Sequence, residues 1–209
     1  MARVWHDPAE SATYSLKARR KTDRRNREIP MKSDPSILIC GVEHLNYLHL
    51  RRKPTHMISL LADEAAIETP RAFTPDRHLK LCVDDIPGPE EGRIHPDRTH
   101  VDELIRFVES WNGSGTLLVH CFMGISRSAA AAYITLCRFN DHGLEDKIAG
   151  TMRKIGAHIQ PNPLLVHHGD EALKRAGRMV RAVEQLGRGS GINQNGFVEV
   201  PLWHGVGGK

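Results

Sequence analysis

Apolar residues fall in short continuous runs through the first part of the chain and at helical spacing through the second. SILIC (36–40), HMISLL (56–61), HLKLCV (78–83) and TLLVH (116–120) have the length and near-continuous hydrophobicity of strands buried on both faces. Between them, VEHLNYLHL (42–50) and VDELIRFVESW (101–111) read as helices; in the second, Leu104, Ile105, Val108 and Trp111 form one stripe that packs on a sheet. After TLLVH the pattern predicts three helices: SAAAAYITLC (128–137), 144–155 and 164–186, with breaks at Gly156 and Gly187. Apolar strands alternating with helices predict an α/β fold, a mostly parallel central sheet flanked by helices. The domain is expected to span 36–187, after a leader over 1–35 and before a glycine-rich tail over 188–209 in which FVEVPLW is a short strand-like patch.

At 209 residues this is one domain with extra ends. No apolar run approaches membrane-spanning length, and the first twenty residues lack the apolar region of a secretory signal, so a cytoplasmic protein is expected. The net charge of +4 is concentrated: 17–27 hold seven basic residues against Asp23, a local +6 that leaves the remainder at −2. This segment has no aromatic interleaving and no folded nucleic-acid motif behind it, so it reads as a disordered, solvated leader, with no nucleic-acid partner. Met31 stands directly before the first strand as an alternative start of translation. The thirteen histidines form no ligand pattern; His167 and His168 are neighbours expected to point different ways on a helix, and no metal or cofactor is called for.

HCFMGISRS (120–128) joins the last strand to an alanine-rich helix. Five residues separate Cys121 from Arg127, enough to curl a loop so that both side chains face one centre. The N–H groups of such a loop form an anion nest, reinforced by the positive end of the following helix. The same field favours thiolate over thiol, which marks Cys121 as a nucleophile. Arg127 supplies a planar fork for two phosphate oxygens. Gly124 sits where a side chain would obstruct the turn. Ser128 either caps the helix or donates to the cysteine sulfur, and His120 is read as orienting the loop through backbone hydrogen bonds.

This segment resembles the signature loop of the cysteine-based protein tyrosine phosphatases of the compact dual-specificity type. LCVDDI (81–86) is similar to the strand and loop carrying that family's general-acid aspartate, and IQPNPLL (159–165) to its proline-asparagine turn. The resemblance covers about residues 36–187. It implies a three-layer architecture and a phosphomonoester hydrolase acting through a phosphocysteine. Cys121 would be the nucleophile, with Phe122, Met123, Gly124, Ile125, Ser126 and Arg127 binding phosphate. Asp85, favoured over Asp84, would be the acid, with His120, Ser128 and Asn162 in support. An Asn after a Pro is equally a helix-start residue. IPGPEEGRIHP (86–96) has the composition of a lid or of an inert surface loop. The absence of Lys and Arg inside the Cys121 loop favours a phosphorylated protein, or a small aryl phosphate, over inositol phosphates. The alternative is a catalytically silent module that binds phosphorylated partners. Cys40 and Cys82, near strand ends, read as buried small residues or as partners in a reversible disulfide with Cys121.

Overall fold

The computed structural model describes residues 34–63, 68–71, 73–191 and 196–203. The leader, its basic run and Met31 lie outside the described residues, so the expectations placed on them are not addressed by the structure. Five strands form one sheet: β1 (Ser36–Gly41), β2 (His56–Leu61), β3 (His78–Cys82), β4 (Thr116–Cys121) and β5 (Phe197–Pro201), in the order β3-β2-β4-β1-β5. The first four are parallel; β5 runs antiparallel along β1, with Ser36 opposite Pro201 and Cys40 opposite Phe197. Among the described residues six α-helices accompany them: α1 (Leu45–Arg52), α2 (Arg98–Trp111), α3 (Arg127–Phe139), α4 (Glu145–Ile155), α5 (Pro163–Ala172) and α6 (Arg178–Leu186).

Alternation along the strands divides the core in two. Ile37, Ile39, Ile58, Leu60, Leu117 and Val119 point to one face, which α2 to α6 cover; Leu38, Cys40, Met57 and Leu118 point to the other, where Leu48 of α1 and Phe73 pack. Both faces being covered is why the strands read as continuous apolar runs. The sheet is therefore mostly parallel and flanked by helices.

Two expectations are corrected. The 42–50 helix is a 3-10 turn over Val42–His44 followed by α1. The 164–186 stripe is two helices, because Asp170 turns back on the connection: its Oδ1 accepts the Gly177 amide at 2.6 Å and its Oδ2 the Met179 amide at 2.8 Å. Arg175 in the same connection is drawn inward to the Cys137 and Asn140 carbonyls and to Glu145. The apolar stripe continues in space across this turn, so periodicity alone shows no break. The strand-like patch read in the tail forms β5 over Phe197–Pro201. Val198 and Val200 on it are buried, each worth about 1.5–3 kcal/mol.

Candidate functional site

β4 runs directly into α3 through residues 122–126, at the carboxyl edge of the parallel strands, where open α/β sheets bind ligands. The loop is fastened from outside by its carbonyls. Phe122 O accepts from the Val42 amide at 3.2 Å, Ile125 O from Gln160 at 3.0 Å and Ser126 O from Asn162 at 3.2 Å. The Gly124 amide points inward and donates to Cys121 Sγ at 3.2 Å, and Ser128 Oγ lies 3.1 Å from the same sulfur. Ser128 thus serves the cysteine and not the cap. The side chains of Phe122 and Met123 project to solvent, so only the backbone of these two residues is available to an anion.

Gly124 has φ +74°, and a Cβ there would lie 2.5 Å from Cys40 C and Gly41 N. Both the turn and the close approach of loop to β1 require glycine. Gly124→Ala is expected to cost on the order of 3 kcal/mol, read as a lower midpoint in thermal unfolding; an unchanged midpoint would show that the loop does not lie against β1.

Arg127 is buried at the start of α3. One guanidinium nitrogen donates to Val83 O at 2.9 Å, Nε lies 3.8 Å from Asp85 Oδ2, and Nε has no hydrogen-bond partner among the described residues. Asp85 supplies negative charge beside this buried cation, but the Nε–H is left without a hydrogen-bond acceptor among the described residues. Asp85 lies beside it: Oδ1 accepts from Ser126 Oγ at 2.6 Å and from Asn162 Nδ2 at 3.1 Å. Asp84 turns away. Its Oδ2 accepts the Ile94 amide at 2.8 Å, its Oδ1 pairs with Arg93 at 2.9 Å, and its own amide donates to Ile94 O at 2.7 Å. The pair 84/94 thereby ties off the Gly/Pro-rich loop 86–96.

Asn162 bonds in two directions. Its Oδ1 accepts from the Leu164 and Leu165 amides and caps α5, while its Nδ2 reaches Asp85 and Ile86 O, at 3.1 and 3.0 Å. His120 has a partner that the sequence did not show: its Nε2 is 2.5 Å from Ser59 Oγ. Cys40, Cys82, Cys121 and Cys137 are all free. Burial, and next the proximity of Cys121, push the Cys40 thiol up to about 12; Cys82 donates to Ala62 O at 3.1 Å, two strands away from β4. His167 and His168 do not point apart; both reach Glu171, at 3.5 and 3.6 Å, with ring centroids 5.4 Å from one another. Ser126 as the donor to Asp85 and Ser59 as the partner of His120 were not legible beforehand; the one available signal for Ser59 was a lone hydroxyl in an apolar strand. Among the described residues no helix is long and apolar enough to cross a membrane.

No protein-family model matches the chain, and no curated protein does. Among solved structures it is similar to DUSP15, with 25% identity over 73% of this chain and 90% of that one and a TM-score of 0.49. It is also similar to PTPMT1 in complex with PI(5)P, at 18% identity, 71% and 96% coverage and a TM-score of 0.49, and to human DUSP28, at 19%, 68% and 94%, with a TM-score of 0.46.

Proposed function

We propose that the chain is a phosphomonoester hydrolase of the protein tyrosine or dual-specificity phosphatase type, working through a phosphocysteine. The observation that carries this reading is the convergence on one loop of Cys121 Sγ, held by the Gly124 amide, the open Nε of buried Arg127, and the carboxyl of Asp85. In the first step the Cys121 thiolate attacks phosphorus as the bond to the leaving oxygen breaks, and Asp85 in its acid form gives that oxygen its proton. Arg127 and the loop amides stabilise the charge on the equatorial oxygens. In the second step water attacks the phosphocysteine, the Asp85 carboxylate takes its proton, and the sulfur leaves as thiolate with the Ser128 hydroxyl, 3.1 Å away, as hydrogen-bond donor. Asp85 Oδ1 is occupied by Ser126 and Asn162, which leaves Oδ2 for proton transfer.

A phosphorylated protein is the preferred substrate class, because residues 122–126 add no cation for further phosphates. The protein is read as cytoplasmic, requiring no cofactor and binding no nucleic acid. The discriminating experiment pairs the two aspartates. Asp85→Asn should slow hydrolysis of a phosphotyrosine peptide by roughly a hundred-fold or more, slow an aryl phosphate with an activated leaving group much less, and flatten the alkaline limb of the pH profile. Asp84→Asn, which alters only the contacts to Ile94 and Arg93, should retain near-normal dependence on the leaving group. The opposite ranking would transfer the acid to Asp84 and overturn the assignment.

A further inference from the structure

On the sheet face opposite Cys121, three strands and a loop bring four polar side chains into one line. Thr69 Oγ1 is 2.9 Å from His78 Nδ1, His78 Nε2 is 2.8 Å from Ser59 Oγ, and Ser59 Oγ is 2.5 Å from His120 Nε2. Ser59, His78 and His120 are 0%, 6% and 2% exposed. Ser59 stands directly opposite His120 in the β2–β4 pair, and the surrounding layer is apolar, with Met57, Leu118 and Phe73. The line ends on the residue immediately before Cys121.

The protons along this line can be counted. Desolvation lowers both imidazoles to about 4, and on His78 Lys80 and His120 lower it further, so both rings are neutral at pH 7 with one N–H each. Ser59 has one hydroxyl proton and, among the described residues, no acceptor other than the two Nε2 atoms. It donates to one ring and accepts from the other. His78 and His120 therefore carry their protons on opposite nitrogens. If His120 holds its proton on Nε2, His78 donates from Nδ1 to Thr69; if the line runs the other way, Thr69 donates to His78.

We propose that Ser59 and His78 are positioning residues: they fix the tautomer and orientation of the His120 ring and, through it, the end of β4 from which Cys121 projects into its loop. The consequence for turnover rests on the phosphatase reading; the coupling of tautomers does not. Neither residue touches the Cys121 loop, so their removal should act on rate more than on substrate binding.

The test uses the full chain with imidazole nitrogen resonances assigned. In the unmodified protein one of the two Nε2 atoms should be protonated and the other bare. Ser59→Ala should release His120 into a mixture of tautomers and lower kcat on a small aryl phosphate by roughly ten-fold with KM little changed, as slight misplacement of a reacting group does. Ser59→Thr, which keeps the hydroxyl, should restore both. Identical tautomers in the unmodified protein would overturn the relay, and an unchanged kcat in Ser59→Ala would overturn its positioning role. Should Ser59→Ala fail to fold, His78→Phe places an apolar ring in an apolar layer and should give the same release and the same fall in kcat. If the unmodified protein turns over no phosphomonoester, the proposed function fails instead. The rate of alkylation of Cys121, followed on its own peptide, then decides the positioning role: a several-fold change in Ser59→Ala supports it and an unchanged rate overturns it.

Discussion

Cys121→Ser should abolish turnover while leaving phosphate bound about as well as before. The substitution exchanges one atom at a buried position, and the serine hydroxyl can accept from the Gly124 amide and meet Ser128 much as the sulfur does, at 3.2 and 3.1 Å. The groups proposed to bind an anion, Arg127 and the loop backbone, are untouched. What is lost is the nucleophile: a hydroxyl without an adjacent base is almost wholly protonated at neutral pH, and no base contacts it here. A fall of roughly ten-thousand-fold in kcat is expected, which corresponds to about 5 kcal/mol of barrier. Turnover of an aryl phosphate and calorimetric binding of inorganic phosphate, measured on the same preparation, read the two effects separately. A rate within ten-fold of the unmodified protein would sink the covalent mechanism. Phosphate binding without turnover already in the unmodified chain would instead identify a silent phosphate-binding module.

The parts of this structure that were legible in the sequence are those fixed by contiguous residues. β1 to β4 sit between helices on both faces, so their apolar runs stand out, and α2 shows the stripe of Leu104, Val108 and Trp111 that meets the sheet. The Cys121 loop was legible because a strand, a glycine turn and a helix start succeed one another in nine residues. What depends on distant partners was not. β5 showed as a strand-like patch but its place in the sheet did not, because it offers only Val198 and Val200 as inward positions, and their burial follows from pairing with β1, more than 150 residues earlier in the chain. The turn between α5 and α6 is set by one carboxylate, Asp170, whose capture of two amides has no hydrophobic signature. The two aspartates at 84 and 85 differ by what lies across from them, Ile94 and Arg93 for one and Ser126 and Asn162 for the other. Strand alternation separates their directions but does not say which direction holds the loop.

Arg127→Lys should be nearly as damaging as loss of the cysteine, by a different route. The arginine is given two tasks with one planar group: a terminal nitrogen donates to Val83 O at 2.9 Å, which orients the fork, and Nε, 3.8 Å from Asp85 Oδ2, has no hydrogen-bond partner among the described residues. A lysine ammonium is a compact, strongly hydrated point charge with no fork. If it donates to Val83 O it is displaced from the loop centre, and if it moves to the phosphate it leaves that carbonyl without its donor. Loss of one preorganised donor to developing charge costs about a hundred- to a thousand-fold in rate, and two bonds of a fork are removed here, so kcat/KM should fall by roughly a thousand-fold or more. Phosphate affinity should fall with it, which distinguishes this variant from Cys121→Ser. A thermal midpoint near that of the unmodified protein would assign the loss to the site and not to unfolding. A rate within about three-fold of normal, with phosphate still bound, would mean that the guanidinium does not hold the transferred group, and the role given to its open Nε would be wrong.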